Sequence, residues 1–240
     1  MPISKKMGKT SSISIIVPAL NEEKHLRNTV GVIAGAAKKR FIDYEIIIID
    51  DGSTDETRNI AERLSKEDSH IKCLHNRRPA CIGGVYKQGL KVASKEYIIR
   101  VNGKNDITVE NLDKIFAYAG MADIVIPYQE NFKERPLFRK AASLLFTFFL
   151  NFLCGLRLRY YNHYVLCRKA LINSLLIRTD SYAFQAEVLI RLIKSGYSYI
   201  EVGVNDKFED DIKSKAFSLQ NICGVALFFI QLPFYIKNRK

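Results

Sequence analysis

Glu45-Ile46-Ile47-Ile48-Ile49-Asp50-Asp51-Gly52-Ser53-Thr54-Asp55 is the stretch that decides the fold. Four consecutive β-branched residues read as a strand buried on both faces, which places it inside a parallel sheet. The Asp-Gly-Ser turn stops the strand, and Ser53 or Thr54 can cap a following helix. Ligands of open α/β sheets gather beyond the carboxyl ends of the strands, where Asp50 and Asp51 stand. Taken alone, the run also fits a strand end with a capping aspartate and no ligand.

A second apolar strand, Ile13-Ser14-Ile15-Ile16-Val17, breaks at Pro18 into polar Asn21-Glu22-Glu23 and leads into a helical stretch. The two units lie roughly thirty residues apart, the spacing of a βαβ repeat. Strands are predicted at 13–18, 44–50, 71–75, 96–101 and 123–127, with helices at 22–39, 55–66, 84–94 and 109–119. This alternation predicts a doubly wound α/β sheet with helices on both faces. From residue 131 the character changes. A basic, then apolar helix at 134–155 is followed by a strand and helix at 164–177, an amphipathic helix at 183–195, a strand at 198–204 and the acidic stretch Asp206–Asp211. The expected division is a loose tail at 1–11, one domain at 12–218, and an apolar terminal helix at 219–240.

At 240 residues and 48% hydrophobic content the chain can bury a full core, and neither repeats nor low-complexity tracts occur. The net charge of +12 suits an anionic partner: nucleic acid, a nucleotide sugar or acidic lipid. Nucleic acid is disfavoured, because the basic residues are dispersed and the 206–211 stretch is acidic. Cys73, Cys81, Cys154, Cys167 and Cys223 lack metal-site spacing and are expected as reduced thiols of a cytosolic protein. His25, His70, His75 and His163 are expected on the surface or in loops. Two apolar stretches, 141–156 and 222–236, carry cationic flanks and fall short of an uninterrupted span. They fit interfacial helices on an anionic membrane, or helices buried in the core or in a homo-oligomer interface.

The motifs Val17-Pro18-Ala19-Leu20-Asn21-Glu22 and Asp50-Asp51-Gly52-Ser53-Thr54-Asp55 together resemble the family 2 glycosyltransferases of GT-A fold. The resemblance runs over residues 12–218 and is nearest to the polyprenyl-phosphate hexose synthases, the dolichyl-phosphate mannose group. It implies a GT-A nucleotide-diphospho-sugar transferase sheet of mixed type and hexose transfer from a nucleotide sugar to an acceptor such as a polyprenyl phosphate. It also implies a location on the cytoplasmic, inner face of a membrane. Pro18, Asn21, Glu22, Asp50 and Asp51 then correspond to the base and ribose pocket, with Asp55 left to cap its helix.

The same resemblance exposes a departure. The family's Asp-x-Asp, which holds Mg²⁺ or Mn²⁺ against the diphosphate, is replaced here by Asn102-Gly103-Lys104, with Asp106 two places on. An ammonium beside a divalent cation is repelled, so a conventional metal site is disfavoured. Two readings stay open. Lys104 can neutralise the diphosphate in place of the metal, with Asn102 and Gly103 on the nucleotide. Alternatively, the domain has lost catalysis and binds a nucleotide, a lipid or a partner subunit. Gly83-Gly84 can let a ligand approach the backbone or simply precede a helix. Tyr182-Ala183-Phe184-Gln185-Ala186-Glu187 resembles the Phe-Gln-x-Glu helix start of the subfamily, which makes Glu187 a candidate to face the acceptor or act as base. Arg135, Arg139, Ser214 and Lys215 resemble its acceptor-phosphate residues, although the acidic Glu209-Asp210-Asp211 fills the expected arginine position.

Overall fold

The computed structural model describes residues 11–131, 137–205 and 218–237. The elements run β1 (Ser12–Ala19), α1 (Leu26–Arg40), β2 (Asp43–Asp50), α2 (Thr57–Glu67), β3 (Ile71–His75), α3 (Cys81–Val92), β4 (Tyr97–Arg100), α4 (Val109–Ala117), β5 (Ile124–Gln129), α5 (Leu137–Cys154), β6 (Leu166–Arg168), α6 (Lys169–Asn173), α7 (Phe184–Lys194), β7 (Tyr199–Val204) and α8 (Leu219–Lys237). The seven strands form one sheet in the order β3-β2-β1-β4-β6-β5-β7. β6 pairs antiparallel with β4 and β5, and the other pairings are parallel. The expected α/β sheet of mixed type, with helices on both faces, is what forms.

Strand side chains alternate between two cores, as a pleated strand requires. Ile13, Ile15 and Val17 of β1 pack under α1, α2 and α4, whereas Ile16 joins α3, α5, α7 and α8 on the opposite face. The isoleucine run of β2 divides in the same way, Ile46 and Ile48 to one side, Ile47 and Ile49 to the other. That is why no polar residue interrupts it.

Several local expectations change. α1 begins at Leu26 rather than 22, because Asn21 is left-handed (φ 58°) and Glu22–His25 forms a turn. α2 begins at Thr57 with Glu56 at its cap position, so neither Ser53 nor Thr54 caps it. Asp55 does the capping work: its Oδ1 accepts the Thr57 N–H at 3.0 Å. α3 starts at Cys81, which puts Gly83 and Gly84 inside its first turn. A Cβ at Gly83 would come within 2.8 Å of backbone atoms of Thr179 and Asp180, so the pair serves helix–loop packing and neither ligand approach nor a pre-helix loop. His163 lies in a loop, as expected, but is buried there, and its Nδ1 accepts the Tyr164 N–H at 2.7 Å.

α5 is 18 residues long, apolar and only 11% buried, so by length and composition it is long enough to cross a membrane, contrary to the sequence expectation. Its inner edge is nevertheless tied to the domain. Leu150 and Cys154 lie in the core, and Asn151 binds Leu158 through both backbone groups and accepts from the Tyr161 hydroxyl. α8 also docks on the domain through Phe228 and Leu232, and Asn221 Oδ1 accepts the Tyr182 N–H.

Candidate active site

β1, β2 and β4 are parallel neighbours, so their carboxyl ends share one rim of the sheet. The ladder continues past the strands. Asp51 N donates to Ala19 O at 2.8 Å, Gly103 N to Pro18 O at 3.0 Å, and Asn76 N to Asp50 O at 2.8 Å. These bonds bring the loops at 19–23, 50–55 and 102–106 side by side, the crevice that open α/β sheets use for ligands.

The first two loops are stitched together. Asn21 Oδ1 accepts the Thr54 N–H, Ser53 Oγ accepts the Asn21 N–H, and Thr57 Oγ1 accepts the Glu22 N–H. Asp50 and Asp51 are nearly enclosed, at 2% and 6% exposure. Asp50 Oδ1 accepts the Ser53 N–H, and Asp51 Oδ1 accepts both the Ala80 N–H and the Asn76 amide. Much of what the sequence marks as nucleotide-gripping chemistry is therefore engaged in shaping the loops. Gly103 is a spacer rather than a ligand contact. It is buried, its N–H and C=O are both bonded within the protein, and a Cβ would approach Pro18 O to 3.1 Å.

The third loop carries a polar cluster. Lys104 Nζ lies 3.1 Å from Asp106 Oδ2, and the lysine side chain is 31% exposed, at the rim rather than in bulk water. Asn102 Nδ2 donates to the same Asp106 oxygen at 3.3 Å and to Tyr164 OH at 3.0 Å, while Tyr164 OH donates to Asp106 Oδ1. Arg100 closes β4 beneath this loop. Its Nη1 donates to Asn102 Oδ1, and its guanidinium lies over the rings of Tyr164 and Phe184. Neither Arg100 nor Tyr164 was marked by the sequence reading, although a charge in the apolar run Tyr97–Val101 was a visible signal.

The divalent cation that this fold family implies does not fit these residues. Among the described residues Asp106 is the sole carboxylate of the cluster, and its two oxygens face the Lys104 ammonium, the Asn102 amide and the Tyr164 hydroxyl. The Asn102 oxygen faces Arg100. A divalent ion needs several oxygen ligands, whereas this cluster offers one carboxylate that already faces an ammonium and two hydrogen-bond donors. Among the described residues no group of three or more His, Cys, Asp or Glu side chains could hold a metal.

Glu187 requires correction as a base. It is 1% exposed, its carboxylate accepts the N–H groups of Arg178 and Thr179, and Arg191 pairs with it at 3.3 Å. It organises the 178–181 loop and has no face open to an acceptor. Arg139 is half-buried on α5. Arg135, Ser214 and Lys215 lie outside the described residues. Arg159 lies over the Tyr128 ring, its Cζ 4.5 Å from the ring centroid.

The profile of Glycosyl transferase family 2 matches residues 14–173. Glycosyltransferase GlyG of Streptococcus pneumoniae serotype 4 (strain ATCC BAA-334 / TIGR4) is 31% identical over 125 residues, 51% of this chain and 40% of that protein. Undecaprenyl-phosphate 4-deoxy-4-formamido-L-arabinose transferase of Proteus mirabilis (strain HI4320) is 24% identical over 136 residues, 56% of this chain and 42% of that protein. The chain thus spans about two-fifths of the length of these curated relatives. Among solved structures, glucosyl-3-phosphoglycerate synthase from Mycobacterium tuberculosis in complex with uridine diphosphate superposes with a TM-score of 0.70 at 16% identity, covering 93% of this chain and 80% of that one. That likeness shows the fold, a GT-A sheet.

Proposed function

The chain belongs to glycosyl transferase family 2, and from that membership we propose that it transfers a hexose from a nucleotide sugar to a polyprenyl phosphate without a divalent cation. The observation that carries this reading is the Lys104 ammonium, held at the rim of β4 by Asp106. The β1 and β2 loops, with Pro18, Asn21, Glu22, Asp50 and Asp51, wall the nucleoside. Lys104 meets the diphosphate. At 4 Å and an effective dielectric near 20, one such charge pair is worth about 4 kcal/mol.

The step is a direct displacement. An acceptor phosphate oxygen attacks the anomeric carbon, the bond from that carbon to the diphosphate oxygen breaks, and the nucleoside diphosphate leaves with the electron pair. The anomeric configuration inverts. A phosphate oxygen is already anionic, so no general base is needed, which accords with an enclosed Glu187. Support for a lipid-linked acceptor comes from the Proteus mirabilis relative and from the exposed apolar sides of α5 and α8, with Arg139 near the start of α5. These helices would lie on the inner face of a membrane.

The test is hexose transfer from UDP- and GDP-hexoses to polyprenyl phosphate in liposomes, with EDTA or with Mg²⁺ and Mn²⁺. Turnover that survives EDTA and falls at least 100-fold in Lys104→Met, on the scale of losing a charged group at a transition state, is expected. Turnover abolished by EDTA would overturn the metal-free reading. Metal-dependent turnover gained only in the double variant Asn102→Asp/Lys104→Asp would mean that the native domain binds without transferring.

A further inference from the structure

Arg100 is 7% exposed, yet it is the end of a central strand whose other residues are apolar. Among the described residues its guanidinium has no carboxylate partner. The cluster's carboxylate, Asp106, is paired with Lys104. Of five N–H donors, Nη1 is bonded to Asn102, and Nε is buried with no partner. The rings of Tyr164 and Phe184, 5.4 and 5.6 Å away, offset part of the desolvation. A buried cation without a counter-ion is costly, and an apolar side chain of the same length would fill this place more cheaply. An unpaired buried charge of this kind points to an anionic ligand.

Its position says which part of the ligand. Arg100 touches Asn102, Asn102 and Tyr164 both touch Asp106, and Asp106 holds Lys104. The two cations therefore flank one small polar network at the rim of β4. With one carboxylate between them, the network carries a net charge of +1.

We propose that Arg100 is a second binding group for the donor's diphosphate, a pre-desolvated guanidinium that shares the oxyanion charge with Lys104. This rests on the reading that the rim holds a nucleotide sugar. A planar guanidinium suits two phosphate oxygens at once, whereas Lys104 supplies a point charge. Together they provide charge and geometry that a divalent ion would otherwise supply.

Isothermal titration of the full chain with inorganic pyrophosphate and with UDP, in EDTA, tests this. The wild type is expected to bind both, and Arg100→Met to weaken pyrophosphate on the order of 30-fold, the scale for a desolvated charge pair. Ligand-free Arg100→Met should melt at or above the wild-type temperature, because it removes an uncompensated buried charge. Unchanged pyrophosphate affinity together with a lower melting temperature would make Arg100 a structural cation–π residue and overturn the proposal. So would pyrophosphate binding that requires Mg²⁺ or Mn²⁺. Should Arg100→Met not fold, Arg100→Lys decides: it keeps the charge and loses the plane, so weaker pyrophosphate binding supports the proposal and unchanged binding sinks it. Arg100-dependent pyrophosphate binding without hexose transfer would leave this inference standing and remove the transfer reading. Full-rate transfer by Arg100→Met would do the reverse.

Discussion

Single side chains at the other end of the sheet show how this protein treats a buried charge when no ligand is involved. Glu45 is 3% exposed, like Arg100 nearly enclosed, but it is fully supplied with partners. Its carboxylate accepts from Ser14 Oγ at 2.6 Å, from Ser94 N at 2.6 Å and from Lys72 Nζ at 2.6 Å, so it ties together β1, β2, β3 and the turn before β4. Burial pushes this carboxyl up, but the Lys72 ammonium, the Ser14 hydroxyl and the Ser94 donors outweigh it and bring it down to about 2. A folded value below the unfolded one of 4.5 means that the stabilisation is full above pH 4.5 and is lost as pH falls toward 2. The shift corresponds to roughly 3 kcal/mol. Melting curves from pH 6 to pH 2.5 should therefore show a steep acid loss that Glu45→Gln flattens while lowering stability at pH 6. Parallel curves for the two proteins would contradict that account. The contrast with Arg100 is the reason for assigning one buried charge to architecture and the other to a ligand.

Elements differ in how far their sequence announces them. β1 and β2 were legible because an apolar run followed by a polar break has one sensible place in a parallel sheet. The end of β4 was legible as a rim but not as a cluster, since the partner of Asn102 and Asp106 is Tyr164, 58 residues beyond Asp106. Nothing local in the sequence brings those two together. β6 has three residues and an antiparallel pairing, too short for a periodicity to show. The start of α3 is hidden in the sequence because Gly83-Gly84 has poor helix propensity and Cys81 is left-handed (φ 59°). Tertiary packing overrides propensity there, as the Gly83 N–H donates to Asp180 O at 2.9 Å. Gly83→Ala should accordingly cost about 1–3 kcal/mol, since the obstructing atoms are backbone and cannot swing aside. Gly31→Ala on α1, where a Cβ meets nothing within 4 Å, should stabilise by about 0.5–1 kcal/mol. Chemical denaturation of both variants checks the pair, and a stabilised Gly83→Ala would refute the tight helix–loop contact.

For the molecule as a whole, the sheet divides the surface into unlike sides. On the face opposite α1, α2 and α4, α5 and α8 meet through Phe146 and Phe229 and turn Leu144, Phe148, Phe152, Leu227, Ile230 and Phe234 outward, each more than half exposed. The chain also carries a net charge of +12. An apolar face on a cationic protein fits an anionic bilayer, where each Lys or Arg near the surface adds about 1 kcal/mol at low salt and loses it to screening. Binding to vesicles should thus have two separable parts. With anionic lipid it should weaken as NaCl rises from 50 to 500 mM, whereas the residual binding at high salt should vanish in Phe148→Asp/Phe152→Asp. Both phenylalanines lie in solvent, at 63% and 76% exposure, so the melting temperature of that variant should stay near the wild type. Co-sedimentation with neutral and anionic vesicles measures both parts. If the aspartates leave vesicle binding intact and instead halve the mass in solution, the apolar face joins two copies of the chain, and the acceptor reaches the β4 rim from water.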